Sequence, residues 1–149
     1  IIQAVQKTIN DNADLKKEAE ALMNEKINAT AQTLIDHKIE IEGIDVCVLK
    51  GPRIPDVVKG VAFAVRELSP KNTAFIGATI NADKPMLTVM LTDDLVKNGM
   101  NAATIVRAAA KHIKGGGGGQ PGFAQAGGKN ADGIEAAYNE ITKLLAGNN

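Results

Sequence analysis

Five consecutive glycines, Gly115, Gly116, Gly117, Gly118 and Gly119, stand within a chain of 149 residues. Each glycine loses more backbone entropy on folding than any other residue, and one is enough to stop a helix. Five imply either flexibility or an approach so close that side chains would obstruct it. A flexible linker is the plainer reading. Phe123 and the regular small-polar-small run Ala124-Gln125-Ala126-Gly127-Gly128, which follow at once, would be odd in a mere spacer. Residues without side chains let backbone N–H groups line a concavity for phosphate oxygens, and the N-terminus of a following helix adds partial positive charge. The expectation is therefore a glycine loop in contact with phosphate.

Known phosphate motifs do not fit this loop. Lys129 follows Gly128, but Phe123 stands where a P-loop needs its first glycine, and Asn130 stands where it needs Ser or Thr. Gly117, Gly119 and Gly122 satisfy G-x-G-x-x-G, yet they follow a helical pattern instead of a strand and lack the βαβ setting of a dinucleotide fold.

The charge map supports a polyanion as partner, but only locally. Lys plus Arg and Asp plus Glu each number 17, so no global positive field exists. No acid occurs between Asp94 and Asp132, and those 37 residues carry Lys97, Arg107, Lys111, Lys114 and Lys129. Arg107, Lys111 and Lys114 are spaced four and three apart, which on one helix makes a ridge leading into the glycines.

Hydrophobic periodicity organises the rest. Residues 1–41 lack proline and glycine and are rich in helix formers, so they read as a long helix, with a fresh start near Asn12 to Asp14 as an equal possibility. Ile2, Val5 and Ile9 begin a three-four spacing that Asn12 and Lys16 interrupt, giving an imperfect coiled-coil seam. Residues 1–42 carry five positive and eight negative side chains, a poor nucleic-acid face. After Gly43, residues 44–49 suit a buried strand, and 55–68 place Val57, Val58, Val61, Ala62, Val65 and Leu68 on a helical stripe. Residues 73–80 and 86–92 read as two strands joined in an antiparallel hairpin. Asp93-Asp94 reads as the cap of a short helix rather than a catalytic pair. Residues 101–113 form a helix with Asn101 as N-cap, and a last helix runs from about Asn130 or Asp132 to Leu145. The expected fold is α/β (α+β): a helical arm over 1–42, then a globular unit over 43–149, in the order α-β-α-β-β-α-loop-α, with helices covering a small mixed sheet.

Other chemistry is sparse. His37, His112 and Cys47 lie far apart without metal-ligand spacing, so neither a metal site nor a catalytic centre is expected. Cys47, in an apolar run, reads as a small buried hydrophobe, and a single cysteine fits a reducing cytoplasmic setting. No apolar stretch nears the roughly 18 residues of a membrane span. The start at Ile1, directly in a helical pattern, reads as that of a fragment. Phe63, Phe75, Phe123 and Tyr138 are the only aromatics, too few to expect a base-stacking platform.

The run from Gly115 through Gln120-Pro121-Gly122-Phe123 to Gly128 closely resembles the signature near the C-terminus of alanyl-tRNA synthetases, the DHHA1-type domain. The resemblance covers nearly the whole chain. It implies a C-terminal domain joined to aminoacylation and editing domains of a parent chain that uses ATP, Mg2+ and Zn2+, with no cofactor in this segment. Its implied partner is tRNA, tRNA-Ala in particular, contacted at the outer corner where the D and T loops meet; some members also dimerise through it. Gln120 and Gly122 stand where the family usually has a basic and an acidic residue. On this reading Arg107, Lys111, Lys114 and Lys129, the glycines 115–119 with Gly127 and Gly128, and Gln120, Phe123 and Gln125 form the RNA-binding set. Two alternatives stay open: a dimerisation or structural module acting through the helical arm, and an accessory domain of a DHH-type phosphoesterase. Against the second, no Asp-His-His occurs, and Gln120 replaces the histidine usual after the glycines.

Overall fold

The computed structural model describes residues 2–52 and 55–147, and the side chains of 15–52 and 56–146. Helix α1 (Ile2–Asp36) is continuous through residues 12–14, so the divided-helix alternative does not hold. It also stops short of residue 41. The His37 amide and ring Nδ1 both meet the Thr33 carbonyl, at 3.1 and 2.9 Å. Ile39–Ile41 then forms strand β1, antiparallel to β2 (Ile44–Pro52). Glu42 and Gly43 make the turn with φ of 50° and 82°, the left-handed pair that suits a tight hairpin. The alternating Ile39 and Ile41 are reclaimed by the sheet because Ile41 packs on its core.

Helix α2 (Pro55–Leu68) crosses from β2 to the parallel strand β3 (Thr73–Asn81). An Ala82-Asp83 turn leads into the antiparallel strand β4 (Lys84–Leu91), as the turn-rich linker predicts. The short helix α3 (Asp93–Lys97) and helix α4 (Ala102–Ala110) follow. Asn101 caps α4 as expected, its side-chain oxygen accepting from the amides of Ala103 and Thr104 at 2.9 and 3.3 Å. The helical hydrogen bonding tightens to a 3-10 turn over Lys111–Ile113, and α5 (Ile134–Gly147) closes the described chain.

The segment expected as a loop is instead a hairpin. Strand β5 (Gly116–Gln120) pairs antiparallel with β6 (Phe123–Gly127) across a Pro121-Gly122 turn. Glycine is depleted in strands because it brings no side chain to pack. Here β6 supplies the side chains, through Ala124 and Ala126 in the core, and carries β5 at the sheet edge. The mixed sheet has the order β1-β2-β3-β4-β6-β5.

Two helical layers bury the two faces. On one, α4 and α5 cover Val46, Ile76, Leu87, Val89 and Ala124, with Ile105, Ile113 and Ile141 fully or nearly fully buried. On the other, α2 and the end of α1 cover Cys47, Leu49, Phe75 and Met90. Burying each of the Val, Leu, Ile, Phe and Met side chains contributes about 1.5–3 kcal/mol, so this double layer fixes the sheet on which the hairpin rides. Among the described residues no helix is long and apolar enough to cross a membrane.

Candidate nucleic-acid interface

Side chains alternate across a strand, so burying Ala124 and Ala126 under α4 turns Phe123 and Gln125 to the opposite face. There the helical layer is narrower. Helix α2 packs over β3 and β4, and α1 packs against α2 and β2, so the hairpin lies beyond them. This uneven cover leaves a shelf on β6 with a basic groove at either end.

The first groove runs between α2 and the Pro121-Gly122 turn. Lys59, Phe63 and Arg66 line it from α2, and Phe123 and Gln125 from β6. The rings of Phe63 and Phe123 stack with centroids 5.0 Å apart and planes 20° from parallel. Arg66 donates from Nη2 to Asp93 Oδ1 at 2.7 Å. Among the described residues the groove therefore holds two cations and one anion. The acidic pair lies in the first turn of α3, and the cap position falls instead to Thr92, which makes no side-chain cap bond; Asp94 accepts from the Thr92 hydroxyl at 2.6 Å and from the Asn72 amide at 2.8 Å. Partial burial alone would raise its pKa, but these hydrogen bonds and those from its own and the Leu95 amides outweigh it and leave the carboxyl below its ordinary value.

The second groove lies at the open end of the hairpin. Lys84, Lys114 and Lys129 meet there, all exposed, around Gly115, Gly127, Gly128, Asn81 and Met86. Among the described residues no acidic side chain lines it. Between the grooves Gln125 Nε2 points to the Thr88 hydroxyl at 3.4 Å. Phe123 and Gly127 are four residues apart on β6, so about 13 Å of strand separates the two ends.

The expected ridge of Arg107, Lys111 and Lys114 is not one helical face. The α-helix ends at Ala110, Lys111 opens the 3-10 turn, and Lys114 turns left-handed at φ 52°. Lys114 is thereby sent to the second groove, and Lys111 stays exposed on the turn. Arg107 reaches over the sheet edge, its Nε 3.4 Å from the Gly117 carbonyl oxygen.

The glycines form an edge strand, not a loop. Alternate residues of Gly116 to Gln120 bond to β6 while those between them face outward, and the Gly115 amide donates to Ala110 at 3.0 Å. The amides of Gly128 and Lys129 donate to Pro85 and Ile113. The element after the glycines is a strand, so no helix N-terminus adds charge to them. What the glycines supply is closeness: a Cβ at Gly115, Gly117 or Gly119 would run into the backbone of 123–128, whereas one at Gly116 would meet nothing within 4 Å.

Lys59, Phe63, Arg66 and Lys84 are absent from the sequence-based set. A signal for the first three exists: they fall four and three apart on α2, outside the stripe of Val58, Val61, Ala62 and Val65, and a phenylalanine on that outer side is unusual company for two cations. Nothing local marks Lys84, which joins Lys114 and Lys129 only through the sheet.

Comparison with known proteins agrees with this architecture. Residues 43–147 match the DHHA1 domain family. An alanine–tRNA ligase of Bacteroides fragilis is 47% identical over 141 residues, 95% of this chain and 16% of the relative. One from Parabacteroides distasonis is 40% identical over 97% of this chain and 17% of its own length. This chain thus spans about a sixth of these relatives. The C-Ala domain of Aquifex aeolicus alanyl-tRNA synthetase shares the fold, with a TM-score of 0.66 at 23% identity, over 73% of this chain and 97% of that one. A pGpG-specific phosphodiesterase of Vibrio cholerae shares it at a TM-score of 0.54 and 12% identity, over 87% of this chain and 42% of the enzyme. With the family match covering well over half of its length, the chain belongs to the DHHA1 domain family.

Proposed function

We propose that this chain is the C-terminal tRNA-binding module of an alanine–tRNA ligase, which holds the outer corner of the tRNA while other domains of the parent chain aminoacylate and edit. The observation that carries this reading is the open shelf on β6, with Lys59 and Arg66 at one end and Lys84, Lys114 and Lys129 at the other. A chain of zero net formal charge holds a polyanion only through such local clusters. Lysines meet phosphates as point charges and carry no sequence information, so contact of this kind positions the RNA without selecting its bases. The similarity to alanine–tRNA ligases over nearly all of this chain supports tRNA as the polyanion.

The test is a titration of this chain with tRNA-Ala, a non-cognate tRNA and an acceptor minihelix lacking the corner, at several salt concentrations. Comparable affinity for both tRNAs, a steep salt dependence and loss of binding to the minihelix are expected. Equal binding to the minihelix would refute the corner contact, and no binding at low salt would refute RNA binding by this domain.

A second role rests on α1. Leu15, Leu22 and Met23 are 62%, 66% and 42% exposed, and Leu22 and Met23 open onto a groove completed by Pro52 and Val57. This stripe suits docking against the parent chain or a second copy. Light scattering over a concentration series separates a dimer from a monomer.

A further inference from the structure

We infer that Phe63 and Phe123 form a nucleobase-stacking subsite at the turn end of the hairpin, where one base lies against Phe63 and Lys59 and Arg66 hold the flanking phosphates. This rests on the tRNA-binding reading and adds to it a contact that the lysine cluster does not provide.

Helix α2 buries Val58, Val61, Ala62 and Val65 completely, yet leaves Phe63 39% exposed. A single exposed phenylalanine needs no explanation. This one is backed by a second ring, stacked at 5.0 Å and 20°, which comes from a strand sixty residues away. Phe123 in turn packs against the core cluster of Phe75 and Met90. The pair is therefore a platform held from beneath, with the outer part of Phe63 left to solvent.

Cations bracket that platform. Lys59 and Arg66 stand four and three residues from Phe63, on the same side of α2 and about 10 Å apart along its axis. The bond to Asp93 holds Arg66 beside the groove and uses one end of a guanidinium that has five donors, so others stay available to phosphate. The Pro121-Gly122 turn forms the other wall of the groove. A ring between two cations matches the repeating unit of a nucleic acid: a flat base between phosphates. Stacking on an aromatic ring tolerates any base, because every base has a π-face.

The chain contains no tryptophan, so Phe63→Trp places a sole indole reporter on the platform. Titration of this variant with tRNA should quench the indole emission while affinity is kept. Phe63→Leu keeps an apolar side chain over Phe123 but removes the π-face, and should weaken binding about 5- to 150-fold with the salt slope unchanged, since no phosphate contact is lost. Lys59→Ala should instead lower the slope. If the indole is unquenched at saturation and Phe63→Leu binds as tightly as the unmodified chain, the stacking subsite is refuted while tRNA binding stands. If the unmodified chain binds no tRNA at low salt, both fall. Should Phe63→Leu fail to fold by circular dichroism, the indole measurement decides alone.

Discussion

Gly117 lies against Ala126 across the hairpin so closely that a methyl group on it would come within 2.6 Å of the Ala126 Cβ and collide with the backbone beneath. Its neighbour Gly116 faces open space. The same residue type thus serves two purposes in adjacent positions of β5. At Gly117 the fold demands the absence of a side chain, because the atoms in the way are backbone and cannot rotate aside. At Gly116 the protein makes no such demand.

That difference is measurable. Gly117→Ala should lower the urea midpoint by an amount equivalent to about 3 kcal/mol, at the upper end of overpacking costs. Gly116→Ala should leave stability unchanged or raise it by about 0.5 kcal/mol, through a stiffer unfolded chain. If RNA passes over β5, Gly116→Ala will nevertheless weaken tRNA binding. Unaltered affinity would place the RNA away from the edge strand.

The three lysines of the second groove predict a change in slope rather than in specificity. Replacing Lys84, Lys114 and Lys129 together by Ala should flatten the log–log dependence of tRNA affinity on salt by about 2 to 3, close to one phosphate each. Lys143→Ala, on α5 beneath the opposite face, should leave the slope unchanged. An equal loss of slope from Lys143→Ala would mean that overall charge, not this groove, attracts the RNA.

Why Lys84 escapes a reading of the sequence while Lys114 and Lys129 do not is a matter of distance along the chain. The latter two flank the glycines, in a stretch whose lack of acids can be counted. Lys84 reaches them only because β4 pairs with β6, and Arg66 reaches the turn only because α2 packs over β4. The elements themselves were legible wherever the side chains report their own surroundings: the stripe of α2, the paired runs of β3 and β4, and Asn101 before α4. They were not legible where the decisive partner is remote. Ile39 and Ile41 sit among good helix formers, and their alternation before Glu42-Gly43 is a faint hairpin signal beside that composition. Strand β5 has no side chain to report before Gln120, and its signal lies in the next segment, where Ala124 and Ala126 alternate with Phe123 and Gln125.

Asp94 predicts an acid limb in the stability profile. Its folded-state pKa lies below the ordinary value because of its hydrogen bonds from Thr92 and the amides of Asn72 and Leu95. A depressed carboxylate contributes stability that is fully present above its unfolded pKa, about 4, and is lost as pH falls through the folded value. The urea midpoint should therefore decline below about pH 4. Asp94→Ala should cost at most about 1 kcal/mol at neutral pH, since solvent screens this little-buried carboxylate, and make the decline shallower. An acid limb of the same depth in the variant would assign it to other carboxylates.

Cys47 reports on how the α1–α2 layer opens. Its thiol is fully buried, and burial pushes its pKa up to about 11, with Lys38 opposing and Asp45 adding to the effect. The thiolate is the reactive form, so an alkylating reagent at pH 8 meets both a closed site and a nucleophile scarcer by about two orders of magnitude than an ordinary thiol. Native protein should stay unlabelled by iodoacetamide while a urea-unfolded sample reacts at once. Cys47 packs in one cluster with Ala31 of α1 and Val58 of α2. Labelling across a urea series should follow the global transition if this layer opens with the whole domain, and precede it if the layer detaches first. Fast stoichiometric labelling without denaturant would show that the two helices leave β2 uncovered in the native protein, and with them the support on which Phe63 is held over Phe123.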